Sequence, residues 1–520
     1  MHSFLPGGRI HARASFRNEH GSHAMMPAMS GDDIRAERLK KIELINDAGM
    51  SVYPAESRHT ETVAQFVAEF EGRPEAFPAT LAGRVMSKRG QGGISFVDIY
   101  DGSQDKHGAL GRVQVVFQKD NMDERTYALF MDTVDIGDFL EVTGTRYVTK
   151  RGEKSLLATT WCMLAKSLSP IPSEWYGVKD QELTLRQRYL DILMSADTRA
   201  MFVRRAAFWN AARTFLRERG FLEVETPVLE SSPGGADARP FITHHNSLDI
   251  DVYLRISAGE LWQKRLLVAG FPKVFEIGRI FRNEGQSREH LQDYTQLECY
   301  EAYSDMQKGK DFVRELYRFL VKETYGKYTF EIGVHTVDFA NEWPEIDFCA
   351  LIKNEFGVDP LTCTDAEAIQ KARDEKVLTE SDTNRARAID SLWKKLRKGI
   401  AGPAFLTGIP VYLEPLAKRS AHNPLVVDRL QVILAGSEMG KGFSELNDPL
   451  DQRARFEEQQ KMRDEGDDEA QRLDEEYIQA MEYGMPPAFG FGVSERLFSF
   501  LENRPAHEAQ IFPLLRPKQL

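Results

Sequence analysis

The stretch from Lys273 to Tyr303 concentrates side chains able to bind phosphate, purine and amine groups. Two extended runs, 273–282 and 294–302, flank a polar loop holding Asn283, Glu284, Gln286, Arg288 and His290. Alternate side chains of a strand share a face. Glu276, Gly278, Ile280, Arg282 and Glu284 therefore line one face of the first run, and Tyr294, Gln296, Glu298 and Tyr300 one face of the second. If the runs pair as a hairpin, both sets can face the same side. Arg282 offers a forked donor for a phosphate oxygen, Tyr294 a flat surface for a purine, and Glu298 a counter-charge for an amine. The same residues also suit a solvent-exposed hairpin with cross-strand ion pairs. Periodicity leaves both readings open.

The flanking sequence predicts the elements that must position these groups. Residues 31–78 form an N-terminal helical segment, with a helix over about 32–48 that opens on an Asp cap and stops at Gly49. From 79 to 168 the chain turns to short β-rich runs: 80–85, 94–99, 113–117, 139–144 and 156–161. With Gly83 and Gly144 as bends, they predict a five-stranded barrel of the oligonucleotide-binding (OB) type; a β-sandwich fragment has the same periodicity. Ser169-Pro170-Ile171-Pro172 marks a boundary, and 169–520 reads as one large mixed domain. Within it, 196–219 is a helix capped by Asp197, with a stripe of Phe202, Val203, Ala206, Trp209 and Phe215, ended by Gly220. Residues 364–398 are polar and helical and read as a peripheral insertion. The acidic run 464–476 reads as a solvated helix face rather than a metal site.

Composition narrows the class. The 520 residues carry 67 basic and 79 acidic side chains, a net charge of −12, which excludes a small basic nucleic-acid clamp. At 42% hydrophobic and 28% charged residues the chain is globular material. No uncharged apolar stretch is long enough to span a membrane. Four cysteines without a C-x-x-C pair argue against a disulfide framework or a cysteine zinc site, and suit a reducing cytoplasm. The barrel region, 79–168, holds 12 basic and 11 acidic residues, so RNA contact there must rest on local patches such as Arg84, Lys88 and Arg89. Residues 1–30, with Arg9, Arg13 and Arg17, read as a disordered extension or an over-called start, ahead of Met25, Met26 or Met29. They lack the apolar centre of a secretory signal.

Three segments then resemble a known family. Phe281-Arg282-Asn283-Glu284-Gly285 followed by His290 resembles motif 2 of the class II aminoacyl-tRNA synthetases. Gly220 to Pro227 (GFLEVETP) resembles motif 1, and Gly490 to Leu497 (GFGVSERL) resembles motif 3. Their order, behind a barrel, is similar to the subclass serving lysine, aspartate and asparagine, from about residue 32 to the C-terminus. The run from Glu438 to Pro449 separates the three. Aspartate and asparagine enzymes place an arginine near this point, whereas this chain has Glu445 and no arginine until Arg453. A carboxylate in a partly closed pocket selects a cationic substrate. With the runs 415–419 and 234–241, the chain resembles the lysyl-tRNA synthetases.

The resemblance implies an α+β protein: a five-stranded OB-type barrel plus a catalytic domain on an antiparallel sheet flanked by helices. It implies ATP-dependent ligation of L-lysine to tRNA(Lys) through a lysyl-adenylate, with Mg2+, in a cytoplasmic homodimer. A divergent synthetase-like protein with weak or altered activity is the alternative. Arg282 would hold the α-phosphate and the lysine carboxylate, Glu284 would read the adenine amino group, and Tyr294 would stack on the ring. His290 and Arg496 would bind the β- and γ-phosphates. Gly235, Glu260, Glu298, Tyr300, Phe443 and Glu445 would line the lysine pocket, with Tyr300 and Glu445 nearest the ε-ammonium. Glu438 would carry magnesium. The barrel would take the anticodon loop, with Phe96 and Phe117 as candidates for stacking or, equally, for barrel core.

Four positions depart from the family pattern. The acidic partner expected seven residues before Glu438 is Gln431, a weaker ligand for a hard cation. Lys441 replaces an asparagine. Gly492 lies four residues before Arg496 instead of three. The usual Ala-Pro-Glu is Ser257-Ala258-Gly259-Glu260, which predicts a shift in the register of Glu260.

Overall fold

A computed structural model describes residues 31–73, 77–104, 110–172, 181–236, 238–285, 287–379, 384–465 and 470–517. The reading of 1–30 lies outside the described residues, as do Gln286 and part of the acidic run. The chain divides into two compact units, 1–174 and 175–520.

In the first unit, α1 (Gly31–Asp47) runs into Gly49 at φ +79°, the left-handed stop the sequence predicts. Asp32 and Asp33 lie within its first turn, where acids favour the helix N-terminus, so neither is a cap. The short α2 (Val63–Ala68) is closed by a reciprocal Thr62–Gln65 capping box. Five strands, β1 (Pro78–Gln91), β2 (Ile94–Gln104), β3 (Leu110–Gln118), β4 (Phe139–Val148) and β5 (Lys154–Ala165), close a barrel in the order β1-β2-β3-β5-β4. At the β4 irregularity a Cβ on Gly144 would sit 2.1 Å from the Leu157 carbonyl, so only glycine permits that approach.

Helix α3 (Glu124–Thr133), capped by Asp123, packs Phe130 flat on Phe117 at 3.9 Å. Phe117 is thus fully buried core, not a stacking platform, while Phe96 is half-buried. The expected basic patch is also largely spoken for. The Lys88 ammonium donates to the carbonyls of Phe130, Met131 and Val134, capping α3. Arg84 lies on the Phe139 ring and donates to the Gly137 carbonyl. Arg89 remains exposed, beside Asp98.

The second unit opens with α4 (Gln181–Arg186), α5 (Arg188–Met194) and α6 (Ala196–Glu218). Ser195, not Asp197, caps α6 by accepting the Thr198 N–H. The buried stripe is Met201, Phe208, Ala212 and Phe215, leaving Val203 and Ala206 exposed. Trp209 and Phe215 of the predicted stripe are buried and Phe202 packs half-buried on the same core, so the expected face is largely met. Then follow β6 (Leu222–Glu223), β7 (Leu229–Glu230), β8 (Ile242–His245), β9 (Ile250–Leu254), α7 (Glu260–Val268), β10 (Lys273–Phe281), β11 (Asp293–Ala302) and α8 (Met306–Tyr325). Beyond these lie β12 (Thr329–Ile332), β13 (His335–Asp338), β14 (Glu345–Asp347), α9 (Phe348–Phe356), α10 (Asp365–Asp374) and α11 (Arg385–Leu396). The unit continues through β15 (Ala404–Thr407), β16 (Ile409–Pro410), β17 (Val426–Val427), β18 (Arg429–Leu434) and β19 (Ser437–Ser444). It ends with α12 (Pro449–Asp464), α13 (Glu475–Glu482) and β20 (Ala488–Ser494), followed by α14 (Arg496–Leu501).

An eight-stranded sheet, β14-β15-β18-β19-β20-β11-β10-β6, carries the site. Its pairings are antiparallel except at the two edges, β14–β15 and β6–β10. One core packs α6 and α8 against this sheet around Phe215, Leu316, Tyr317 and Phe491. A second core includes Ala368, Ala372, Ile389, Leu392 and Trp393, so the 364–398 insertion is not peripheral. Small alanines and a few large residues at helical spacing suffice to bury one face of α10 and α11. The acidic run also breaks into pieces. α12 ends at Asp464, and Asp474 caps α13 while pairing with Arg265.

Candidate active site

The two runs pair as the β10–β11 hairpin, with Glu276 opposite Glu298, Gly278 opposite Gln296 and Ile280 opposite Tyr294, so both sets face the same side. Its shared face divides into two halves. Glu276 is buried, accepts from the Thr226 N–H at 3.0 Å and hydroxyl at 2.6 Å, and pairs with Arg255. Gly278 leaves room for that arginine, since a Cβ there would lie 2.0 Å from Arg255 Nη2. This half holds the fold together and offers no ligand floor. The other half opens on a cavity of about 300 Å³.

That cavity brings together Gly235, Glu260, Arg282, Tyr294, Glu298 and Tyr300 with Gln431, Glu438, Phe443, Glu445 and Arg496. Glu284 and His290 are exposed on the loop after β10, outside the lining. Partial desolvation by the surrounding loop and the neighbouring Arg496 hold the His290 imidazole below its usual pKa. The altered spacings keep their residues in place. Gly259, at φ +78°, caps α7, and a Cβ there would sit 2.1 Å from Thr226 Oγ1. Gly259 thus makes a left-handed turn at the position of the usual proline, and Glu260 lines the cavity. Arg496 does so too, as the first residue of α14.

One end of the cavity is acidic, lined by Glu260, Glu298 and Glu445. Glu298 is buried and fully bonded, accepting from Ala258 N–H at 2.8 Å, Gln296 Nε2 at 2.7 Å and the Tyr300 hydroxyl at 3.0 Å. Burial, reinforced by Glu260, pushes its pKa up to about 7. Glu445 is 1% exposed, yet neither carboxylate oxygen accepts a hydrogen bond among the described residues. Lys264 Nζ lies 2.5 Å from Glu445 Oε2, a charge contact off the hydrogen-bond direction. Burial raises the Glu445 pKa against the opposing pull of Lys264. Two glycines admit this packing. A Cβ on Gly490 would meet Glu445 Oε1 at 2.1 Å and the Tyr300 ring at 2.5 Å. Gly235, at φ +82°, would bring one within 2.8 Å of Glu260.

The other end is cationic. Arg282 reaches the Ile256 carbonyl only at 3.4 Å and lies 5.8 Å from the Tyr294 ring centre. Arg496 pairs with Glu289, and its Nε has no partner among the described residues. Burial would raise Glu438, but Arg429, Arg397 and the Trp393 indole, which donates at 2.6 Å, outweigh it and lower its pKa. Gln431 has both polar atoms engaged: it accepts from Arg429 at 2.6 Å and donates to the Gly440 carbonyl at 3.0 Å. Lys441 is half-exposed, 3.5 Å from Glu414. Among the described residues no three acidic, His or Cys side chains gather as a metal cage. One carboxylate, Glu438, suits magnesium that arrives already held by substrate phosphates.

Sequence reasoning missed Lys264, Glu289, Trp393 and Arg397. The spacing of Lys264 four residues after Glu260 on one helix was a legible signal. Nothing in the sequence ties Trp393 to Glu438.

Residues 180–516 match the family described as tRNA synthetases class II (D, K and N), and 79–163 match an OB-fold nucleic acid binding domain. The lysine–tRNA ligase of Roseiflexus castenholzii is 39% identical over 497 residues, covering 94% of this chain and all of the relative. Those of Dehalococcoides mccartyi and Moorella thermoacetica are 40% and 41% identical, each over 94% of this chain and 99% of the relative. The chain belongs to the lysine–tRNA ligase family. Within that family's class II frame, the cavity lies on the central strands of the antiparallel sheet, and the barrel is the nucleic-acid-binding unit. No described helix is long and apolar enough to cross a membrane.

Proposed function

We infer that the chain ligates L-lysine to tRNA(Lys) in two steps, and that the cavity on β10, β11, β19 and β20 performs the first. The observation that carries the assignment is Glu445, a fully buried carboxylate with unsatisfied oxygens, walled by Tyr300 and Phe443. A buried carboxylate whose oxygens accept no hydrogen bond is costly, and the ion pair to Lys264 through Oε2 leaves Oε1 open to a second cation. A lysine side chain supplies that cation on an apolar stem that fits between the rings.

In the first step the lysine carboxylate attacks the α-phosphorus of ATP in line. The bond to the β-phosphate oxygen breaks and pyrophosphate leaves. Such chemistry needs positioning and charge neutralisation more than a protein nucleophile. Arg282 would neutralise the α-phosphate and orient the attacking carboxylate, Tyr294 would stack on adenine, and Glu284 would read its amino group from the loop. Arg496 and His290 would hold the outer phosphates, with Arg496 exchanging Glu289 for them. Glu438 would hold magnesium, whose charge would help to neutralise the phosphates. In the second step a terminal ribose hydroxyl of the tRNA attacks the lysyl carbonyl, and AMP leaves.

The barrel would receive the anticodon loop, with Phe96 and Arg89 as its available groups. Exposed Leu222, Val228, Leu229, Ile242 and Ile250 support a homodimer through the motif 1 region. Four free cysteines support a cytoplasmic setting. Purified protein is expected to catalyse lysine-dependent ATP–pyrophosphate exchange. Exchange on another amino acid and none on lysine would overturn the assignment.

A further inference from the structure

Lys264 is fully buried, and it is not part of the cavity lining. It stands behind the wall, on α7, with its ammonium 2.8 Å from Glu260 Oε1 and 2.5 Å from Glu445 Oε2. Tyr300 and Phe443 place their rings 5.9 Å and 5.2 Å from it. On the far side Tyr477 of α13 is buried with no partner for its hydroxyl among the described residues. No other cation contacts Glu445 among the described residues.

We propose that Lys264 is a specificity-determining positioning residue. Its ammonium fixes one oxygen of Glu445 and ties Glu260 to it, leaving Glu445 Oε1 as the acceptor for the side-chain ammonium of the amino acid substrate. The proposal rests on reading the cavity as the lysine site. Three carboxylates, Glu260, Glu298 and Glu445, share this dry end, and like charges crowded together take up protons. One internal cation lowers that cost. With all groups ionised, the cluster carries two surplus negative charges for the two ammonium groups of a diamino acid. The free oxygen lies against Gly490 and the Tyr300 ring, and the wall holds it there before substrate arrives. A neutral side chain of equal length would leave that oxygen unsatisfied, so discrimination comes from a carboxylate kept ionised and correctly turned.

The groups facing this cluster define its pH behaviour. They are Glu260 and Lys264 on α7, Glu298 and Tyr300 on β11, Glu445 after β19 and Tyr477 on α13, with Arg265 and Glu276 further out. Burial already raises Glu445, and Lys264 opposes the rise. Removing the ammonium must raise it further, so the carboxylate form is reached only at higher pH.

The test is lysine-dependent ATP–pyrophosphate exchange by full-length Lys264→Met and Lys264→Gln proteins between pH 6.5 and 9. The expected result at pH 7 is a KM for lysine raised at least tenfold, falling as pH rises, with the KM for ATP unmoved. The pH at which KM levels off should move up by about one unit. A KM for lysine within twofold of the parent in a folded variant would overturn the proposal, and so would a rise that is flat with pH. Failure of both variants to fold also overturns it, because the ammonium then serves the fold and not selection. Glu445→Gln separates this from the underlying reading. If that variant keeps lysine selectivity, the pocket assignment itself fails; if it loses selectivity while the Lys264 variants do not, only the role of Lys264 fails.

Discussion

The barrel and the catalytic sheet both bury a lysine between two acids, and they treat it differently. In the barrel, Lys166 is fully buried and donates to Thr133 O, Asp135 and Asp138, at 2.5 to 2.7 Å. Asp138 in turn accepts from the N–H groups of Asp135 and Ser167. Every polar atom of that node named here is used. In the catalytic sheet, Lys264 meets Glu260 and Glu445, and Glu445 is left with oxygens that accept no hydrogen bond among the described residues. A satisfied network specifies a fold, whereas an unsatisfied one stores an unfavourable energy that a ligand can release. The contrast locates function where hydrogen bonding is incomplete.

Four substitutions would break or sharpen that contrast, beyond the Lys264 series. The largest effect on activity is expected at the node that waits for a ligand. Glu445→Gln should cut kcat/KM for lysine in pyrophosphate exchange roughly 100-fold or more, about 3 kcal/mol, and erase preference over neutral amino acids. At the satisfied node, Lys166→Met leaves Asp138 buried and uncompensated. Thermal unfolding of the full chain should show the barrel destabilised by about 3–5 kcal/mol, while exchange activity persists; lost exchange would mean the two nodes are not independent.

Trp393→Phe removes the donor to Glu438 while keeping an aromatic ring in the core. It should raise the KM for ATP about tenfold, in keeping with about 1.5 kcal/mol for a bond to a charged acceptor, and leave the KM for lysine alone. The smallest effect concerns Glu230, which takes the Trp262 indole on one oxygen and leaves the other unpartnered among the described residues. Burial pushes its pKa up to about 7. The folded state therefore keeps a proton that the unfolded state has released, so this group's contribution declines as pH rises from about 4.5 through 7. Glu230→Gln should flatten the fall of Tm over that window, by an amount on the order of 1–2 kcal/mol. An unchanged profile would remove Glu230 from the explanation.

Much of this was legible beforehand. The barrel strands, the Gly49 and Gly220 stops and the side-chain faces of the hairpin strands followed from period-2 alternation and left-handed glycines, which are local signals. The errors came where packing overrides local pattern. Asp197 looked like a cap, but Ser195 is in the capping conformation. Lys88 looked available to RNA, but the end of α3 claims it. Phe117 was left undecided until Phe130 was seen to stack on it. Half of the hairpin face has the residue types of a ligand floor, but Arg255, just after β9, covers Gly278 and ties down Glu276.

By itself the sequence determined the residue types of the chemistry and the faces they share, because side-chain direction along a strand is set by the backbone. Ordered motifs and Glu445 were enough to point to a cationic amino acid. Only the tertiary structure decided which charges remain unpaired. It set Lys264 against Glu445 and Trp393 on Glu438, joining elements distant in the chain. Whether a charge binds substrate or holds the fold depends on what stands within hydrogen-bonding reach, and that distance is settled by packing.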